Sequence, residues 1–180
     1  MRKIFAFVFL CLIFSASSRG EEVRVEHFEL SVEGRVISAS ISITPLLPQE
    51  VVERIRGGLP AVFTYWFTLR EHSSRWRDRK VMKTRVSVSV KYDPVRVEYQ
   101  VTYRQKGELV DTRIFHHWQE AVNALTKLDR WEIFTVPSDA LDEMLYIEAW
   151  VHLLPRTKWL FIPDDIKTDE VSSSHFVVYD

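Results

Sequence analysis

The sequence predicts a mainly β protein: an antiparallel β-sandwich or half-barrel of about eight strands with two short helices. Three observations predict it. Apolar residues recur at every second position over long stretches, turn-forming residues separate those stretches, and only two short segments switch to helical spacing.

The first twenty residues stand apart from that pattern. Met1-Arg2-Lys3 is basic, Ile4 to Phe14 is an unbroken apolar run, and Ser15 to Gly20 supplies small residues, with Arg19 among them, ahead of Glu21 and Glu22. This layout predicts a secretory signal peptide over 1–20, cleaved after Gly20 or near Ala16 to Ser18. As a helix the run reaches ~16 Å, about half of a bilayer's hydrocarbon core, which disfavours the competing reading of an uncleaved anchor. Cys11 sits mid-run after Leu10, not after a small residue at the run's end, so it does not fit a lipidated cysteine. The expected location is an exported compartment.

A single antiparallel β-rich domain is expected over 21–163, followed by a polar tail over 164–180. Val23 to Val32 is the first strand. Ile37, Ala39, Ile41 and Ile43 then alternate with Ser38, Ser40, Ser42 and Thr44. Pro48 opens a helix over Gln49 to Arg56 with Val51, Val52 and Ile55 on one face, and Gly57-Gly58 stops it. Ala61 to Leu69 is apolar or aromatic on both faces, with Phe63, Tyr65 and Phe67 on one and Val62 and Trp66 on the other, which suits a central strand covered twice.

Val86, Val88, Val90 and Tyr92 mark the next strand, and Val95, Val97, Tyr99, Val101 and Tyr103 the one after it. Asp93-Pro94 and Gln105-Lys106-Gly107-Glu108 carry turn chemistry at both junctions, so a meander follows, continuing into Leu109 to Phe115. Trp118, Ala121, Val122, Leu125 and Leu128 recur at helical spacing and predict an amphipathic helix over His117 to Leu128. Trp131 to Thr135 and Tyr146 to Leu154 complete the strands, with a helical turn expected in Ser138 to Met144. The tail reads either as a disordered extension or as a late edge strand at Phe176 to Tyr179.

Composition excludes several functions. With 24 Lys+Arg against 25 Asp+Glu, the chain lacks the basic excess of a general nucleic-acid binder, so no nucleic-acid partner is expected. One cysteine excludes an intramolecular disulfide and any multi-cysteine metal cluster. No G-x-S-x-G, P-loop or G-x-G-x-x-G occurs, and no cysteine follows residue 20 to act as a nucleophile. The acidic groups Asp139, Asp142, Glu143, Asp164 and Asp165 fall in expected loops and helix starts, where carboxylates cap and solvate. No catalytic residue and no cofactor is expected.

Two constellations invite a site. His116-His117 is the obvious metal pair, but adjacent side chains diverge, and no H-x-x-x-H or H-E-x-x-H spacing supports them, so a strand-to-helix junction is the better reading. Arg70 to Lys80 is the densest basic segment. Arginine forks match phosphates and carboxylates, and Trp76 could lie on an acyl chain, a sugar face or a peptide. Arg70, Arg75, Trp76, Arg77 and Arg79 are therefore the candidate ligand- or partner-binding residues. The plainer reading is a long hairpin whose charges deter stray strand pairing.

Leu59-Pro60-Ala61-Val62-Phe63-Thr64-Tyr65-Trp66, Arg75-Trp76-Arg77-Asp78, the hairpin from Tyr92-Asp93-Pro94 to Tyr99-Gln100-Val101, and Trp118-Gln119-Glu120-Ala121 occur together and in order. In these segments the chain resembles an uncharacterised family of exported bacterial proteins of unknown function, found largely in proteobacteria and often encoded beside a sensor histidine kinase and its response regulator. The resemblance runs from about Val25 to Leu154, and it implies neither an activity nor site residues. It does imply a setting, the periplasm for the exported chain, and with the absence of catalytic motifs it yields the expectation of a non-catalytic protein-binding module. The partner would be an envelope or membrane protein, with a sensor histidine kinase as one case, engaged through a free sheet edge or the basic hairpin. A carrier of an anionic lipid or glycan is the alternative, and a hydrolase is third.

Overall fold

A computed structural model describes residues 23–74, 77–153 and 166–179. The expected signal peptide lies outside the described residues, as do Arg75, Trp76 and residues 154–165. In chain order the elements are β1 (Val25–Glu33), β2 (Val36–Ile43), α1 (Gln49–Arg56), β3 (Ala61–Glu71), β4 (Arg79–Asp93) and β5 (Glu98–Gln105). There follow β6 (Glu108–Phe115), α2 (Trp118–Thr126), β7 (Lys127–Thr135), a 3-10 turn at Ser138–Ala140, β8 (Leu145–Leu153), β9 (Ile166–Lys167) and β10 (Val171–Ser172). The protein is mainly β with two helices, as the alternation predicts.

The strands form two antiparallel sheets that do not close into a barrel. The smaller has the order β1-β2-β7, and the larger runs β10-β8-β3-β4-β5-β6 with β9 also on β8. Alternation decides which face each strand buries. Ile37, Ala39, Ile41 and Ile43 of β2, Phe63, Tyr65 and Phe67 of β3, and Val86, Val88 and Val90 of β4 all enter one core. Val51 and Ile55 of α1 and Ala121 and Leu125 of α2 complete it, so both helices lie on the inner side of the large sheet. Each such large side chain contributes ~1.5–3 kcal/mol by leaving water. β3 is central, flanked by β4 and β8 along its length, but described elements cover only its inner face and not both faces as expected.

Several boundaries differ from the sequence reading, where side-chain capping or strand pairing outweighs the apolar pattern. The strand expected from Val95 starts at Glu98, since the Asp93 carboxylate accepts the Val95 and Arg96 amides and folds residues 94–97 into a turn. Val95 is consequently 90% exposed. The strand expected from Val86 begins at Arg79, carried through charged residues by its pairing with β3. The helix expected to reach Leu128 ends at Thr126, because Lys127 and Leu128 pair with Ser42 and Ile41 of β2. Leu128 is buried either way, so helical spacing does not reveal the switch. The helical turn expected over Ser138 to Met144 shrinks to its first three residues.

The tail is no disordered extension over residues 166–179. It runs as an irregular edge along β8, through Lys167 opposite His152, Val171 opposite Ala149 and a bridge from Phe176 to Leu145. Val178 is buried in the main core. At the other end of the sheet, the β5–β6 hairpin turns through Lys106 and Gly107 with φ of 53° and 97°. Glycine is suited to that second left-handed position.

Candidate functional site

The described arginines of the basic hairpin already have partners within the fold, with one exception. Arg70 in β3 donates to Glu148 of β8, and Arg79 in β4 donates to Glu71 at 2.6 Å and to Asp139 at 3.5 Å. These carboxylates hold both guanidiniums more firmly protonated. Beside them His72 Nδ1 lies 3.4 Å from Asp78, whose other oxygen accepts the Tyr146 hydroxyl at 2.7 Å. The rings of His72 and Tyr146 both contact His175 of the tail. Arg77 is exposed and has no ion pair among the described residues. The hairpin thus brings Arg70 and Arg79 into a paired surface network rather than into a cationic cradle. His116 and His117 are exposed between β6 and α2, and no group of three or more metal-ligating side chains occurs among the described residues.

The opening in the architecture lies elsewhere. Among the described residues β6 pairs only with β5 and β7 only with β2, so both strands are sheet edges there, and α2 contacts both. Between them is a cleft of about 510 Å³. Its floor is Tyr103 and Phe115, its α2 wall is Glu120, Asn123 and Ala124, and its β7 wall is Lys127, Asp129 and Trp131.

Local sequence explains why the cleft keeps its shape. Trp118 at the start of α2 packs on Tyr99, which packs in turn on Tyr92. At the other end of α2, Tyr65 donates to the Leu125 carbonyl at 2.7 Å and Tyr103 to the Ala124 carbonyl at 3.1 Å, satisfying acceptors that a helix C-terminus leaves open. Burial pushes the phenols of Tyr65 and Tyr103 upward. Tyr103 stacks on Trp131 with centroids 5.4 Å apart, and Trp131 donates to Gln105, which itself donates to the Glu132 carbonyl.

The rim of the cleft is β6 itself. Arg113 lies over the Tyr103 ring at 4.9 Å and donates to Asp111 at 2.7 Å, so the two charges on this side of the strand neutralise each other. Leu109, Val110 and Ile114 are 59%, 52% and 54% exposed. An eight-residue edge with three exposed aliphatic side chains is what monomeric proteins normally blunt. β1, the corresponding edge of the small sheet, carries Glu26, His27, Glu29 and Glu33. Periodicity alone does not reveal β6 as a site, because being an edge is a property of topology. The signal in the sequence is Leu109-Val110, two adjacent aliphatic residues that cannot both face one core.

Residues 20–153 match a family described as a domain of unknown function, DUF4390. The chain belongs to that family. The DUF4390 match extends through the last residue of β8 and so includes the basic hairpin, β6, α2 and β7, whereas the tail along β8 lies beyond it. The family carries no activity in its description, in keeping with the uncharacterised family that the sequence resembles. No curated protein and no solved structure matches the chain.

Proposed function

We propose that this protein is a non-catalytic, exported binding module that receives an extended segment of an envelope or membrane protein on β6. The observation that carries this reading is the free β6 edge with its exposed Leu109, Val110 and Ile114. Strand addition uses backbone hydrogen bonds for affinity and side-chain pockets for specificity. The cleft beside β6 offers the pocket: alternate side chains of an added strand would fall towards Tyr103, Phe115 and Trp131. The extracytoplasmic part of a sensor histidine kinase is the partner that the family resemblance implies. A protein partner is favoured over carriage of a lipid, because the space between the sheets is filled by Phe63, Tyr65, Phe67 and their neighbours.

A photo-crosslinking residue placed at Leu109 or at Arg77, in the cells that make the protein, tests this directly. The expected result is one envelope protein captured from position 109, lost when Ile114→Lys is added, and absent from position 77. Capture from position 77 alone would return the site to the basic hairpin and overturn the edge reading.

A further inference from the structure

The outer face of the large sheet holds a second, independent feature. Trp150 of β8, Trp66 of β3 and Arg85 of β4 stand in one cross-strand row, and Lys83 follows one row along, opposite Thr68. All four side chains project away from the core, because Tyr65, Phe67, Thr84, Val86, Ala149 and Val151 take the inner face. Both helices and the small sheet pack on that inner face, and no described element covers the outer one.

The two indoles are half-buried and near-parallel, 14° apart, with centroids separated by 6.1 Å. The Lys83 ammonium caps both at once, 4.3 Å from the Trp66 ring and 4.7 Å from that of Trp150, and the Arg85 guanidinium lies 5.5 Å from Trp66. Ring quadrupoles hold cations in place without neutralising them. The carboxylate nearest in register, Glu148 opposite Thr68, is taken by Arg70. Neither Lys83 nor Arg85 has a carboxylate partner among the described residues.

We propose that this face binds an acidic glycan. The indole faces suit the C–H face of a pyranose, and Lys83, a flexible side chain, can yield the rings to the sugar and pair with its acid group. Arg85 offers the geometry to take that carboxylate or phosphate in two hydrogen bonds. The part-exposed hydroxyl of Ser87, one row beyond Arg85 on the same face, can serve a sugar's own hydroxyl. An anionic membrane is a poorer occupant, since half-buried rings on a strand at the middle of a sheet cannot enter a bilayer as rim-borne tryptophans do.

Tryptophan fluorescence of the purified protein, titrated with oligogalacturonate, tests the site. Quenching that saturates is expected, with affinity falling as salt rises. Neutral galactan oligomers of equal length should bind at least tenfold more weakly. Trp150→Ala, and separately the pair Lys83→Gln and Arg85→Gln, should each weaken oligogalacturonate binding at least tenfold. The double glutamine variant alters exposed side chains only, and an unchanged circular dichroism melt confirms its fold. Absence of quenching, equal binding of the neutral oligomer, binding indifferent to the glutamine variant, or preference for phosphatidylglycerol vesicles would each overturn the proposal.

Discussion

The hydroxyl of Tyr65, at the centre of the large sheet, donates to the backbone carbonyl of Leu125 at the end of α2 over 2.7 Å, in a fully buried setting. Together with the bond from Tyr103 to the Ala124 carbonyl, this contact ties the helix to the sheet beneath the cleft. Removing the hydroxyl leaves a buried acceptor without its donor, at a cost of ~1–3 kcal/mol.

Tyr65→Phe is therefore expected to lower stability by that amount in urea unfolding, with the m-value unchanged. Tyr103→Phe, whose contact to Ala124 is only part-buried, should cost less. Equal losses would mean that the two hydrogen bonds are energetically equivalent and that burial does not set the difference.

The tail should contribute measurably to stability. Val178 is buried in the main core, so Val178→Ala is expected to cost about 1.5 kcal/mol from lost apolar burial. A chain ending at residue 165 should lose more, because β8 would regain a bare edge. An unaltered melting temperature in the truncated chain would show that residues 166–179 dock without stabilising.

Tyr146 and Asp78 predict both limbs of the pH profile. Burial and the Asp78 carboxylate push the Tyr146 phenol up to about 12. Folding thus favours the neutral phenol, so its contribution is whole below about 10, the unfolded value, and is lost as pH climbs through the raised one. The Ser73 amide first, then the Tyr146 hydroxyl, hold Asp78 below the usual carboxylate range. That contribution is present above about 4 and fades as pH falls below it. Tyr146→Phe should remove the alkaline loss and raise the Asp78 titration seen by carboxyl NMR. An alkaline limb that the substitution leaves in place would assign the loss to another group.

Arg70 and Glu148 pair where Glu148 is only 14% exposed. Arg70→Met should cost ~1.5–3 kcal/mol, because a charged hydrogen bond is lost and a half-buried carboxylate is stranded. Adding Glu148→Gln should recover part of that cost. A double variant no better than the single would show that water reaches Glu148 freely.

Much of this fold is legible in the sequence, and what is not shares one cause. Ile37 to Ile43, Val86 to Val90 and Tyr146 to Leu153 announce their strands because one face is buried and the other wet. The helix stop at Gly57-Gly58 is chemical and local, the Gly57 and Gly58 amides closing on Glu53 and Ile55. Arg79 to Arg85 does not read as strand, since its outward cations hide the period and pairing with β3 sets its conformation. The change from α2 to β7 at Lys127 depends on β2, far away in the chain. The candidate edge and the tryptophan platform are hidden for the same reason. Trp66 and Trp150 become neighbours only through sheet order, and β6 becomes an edge only because no described strand pairs with its other side.

The pairing of β2 with β7, Ile37 opposite Phe134, has a kinetic meaning. Because the first hairpin completes its sheet with a strand from the far half of the chain, a polypeptide emerging from its N-terminus holds that hairpin unfinished until α2 and β7 have followed. Closing so long a loop before any reward arrives places folding in the slow regime of β proteins, on the order of milliseconds to seconds. During that wait the Ile-rich face of β2 is exposed, so the interval before β7 arrives is the one in which a chaperone has something to hold.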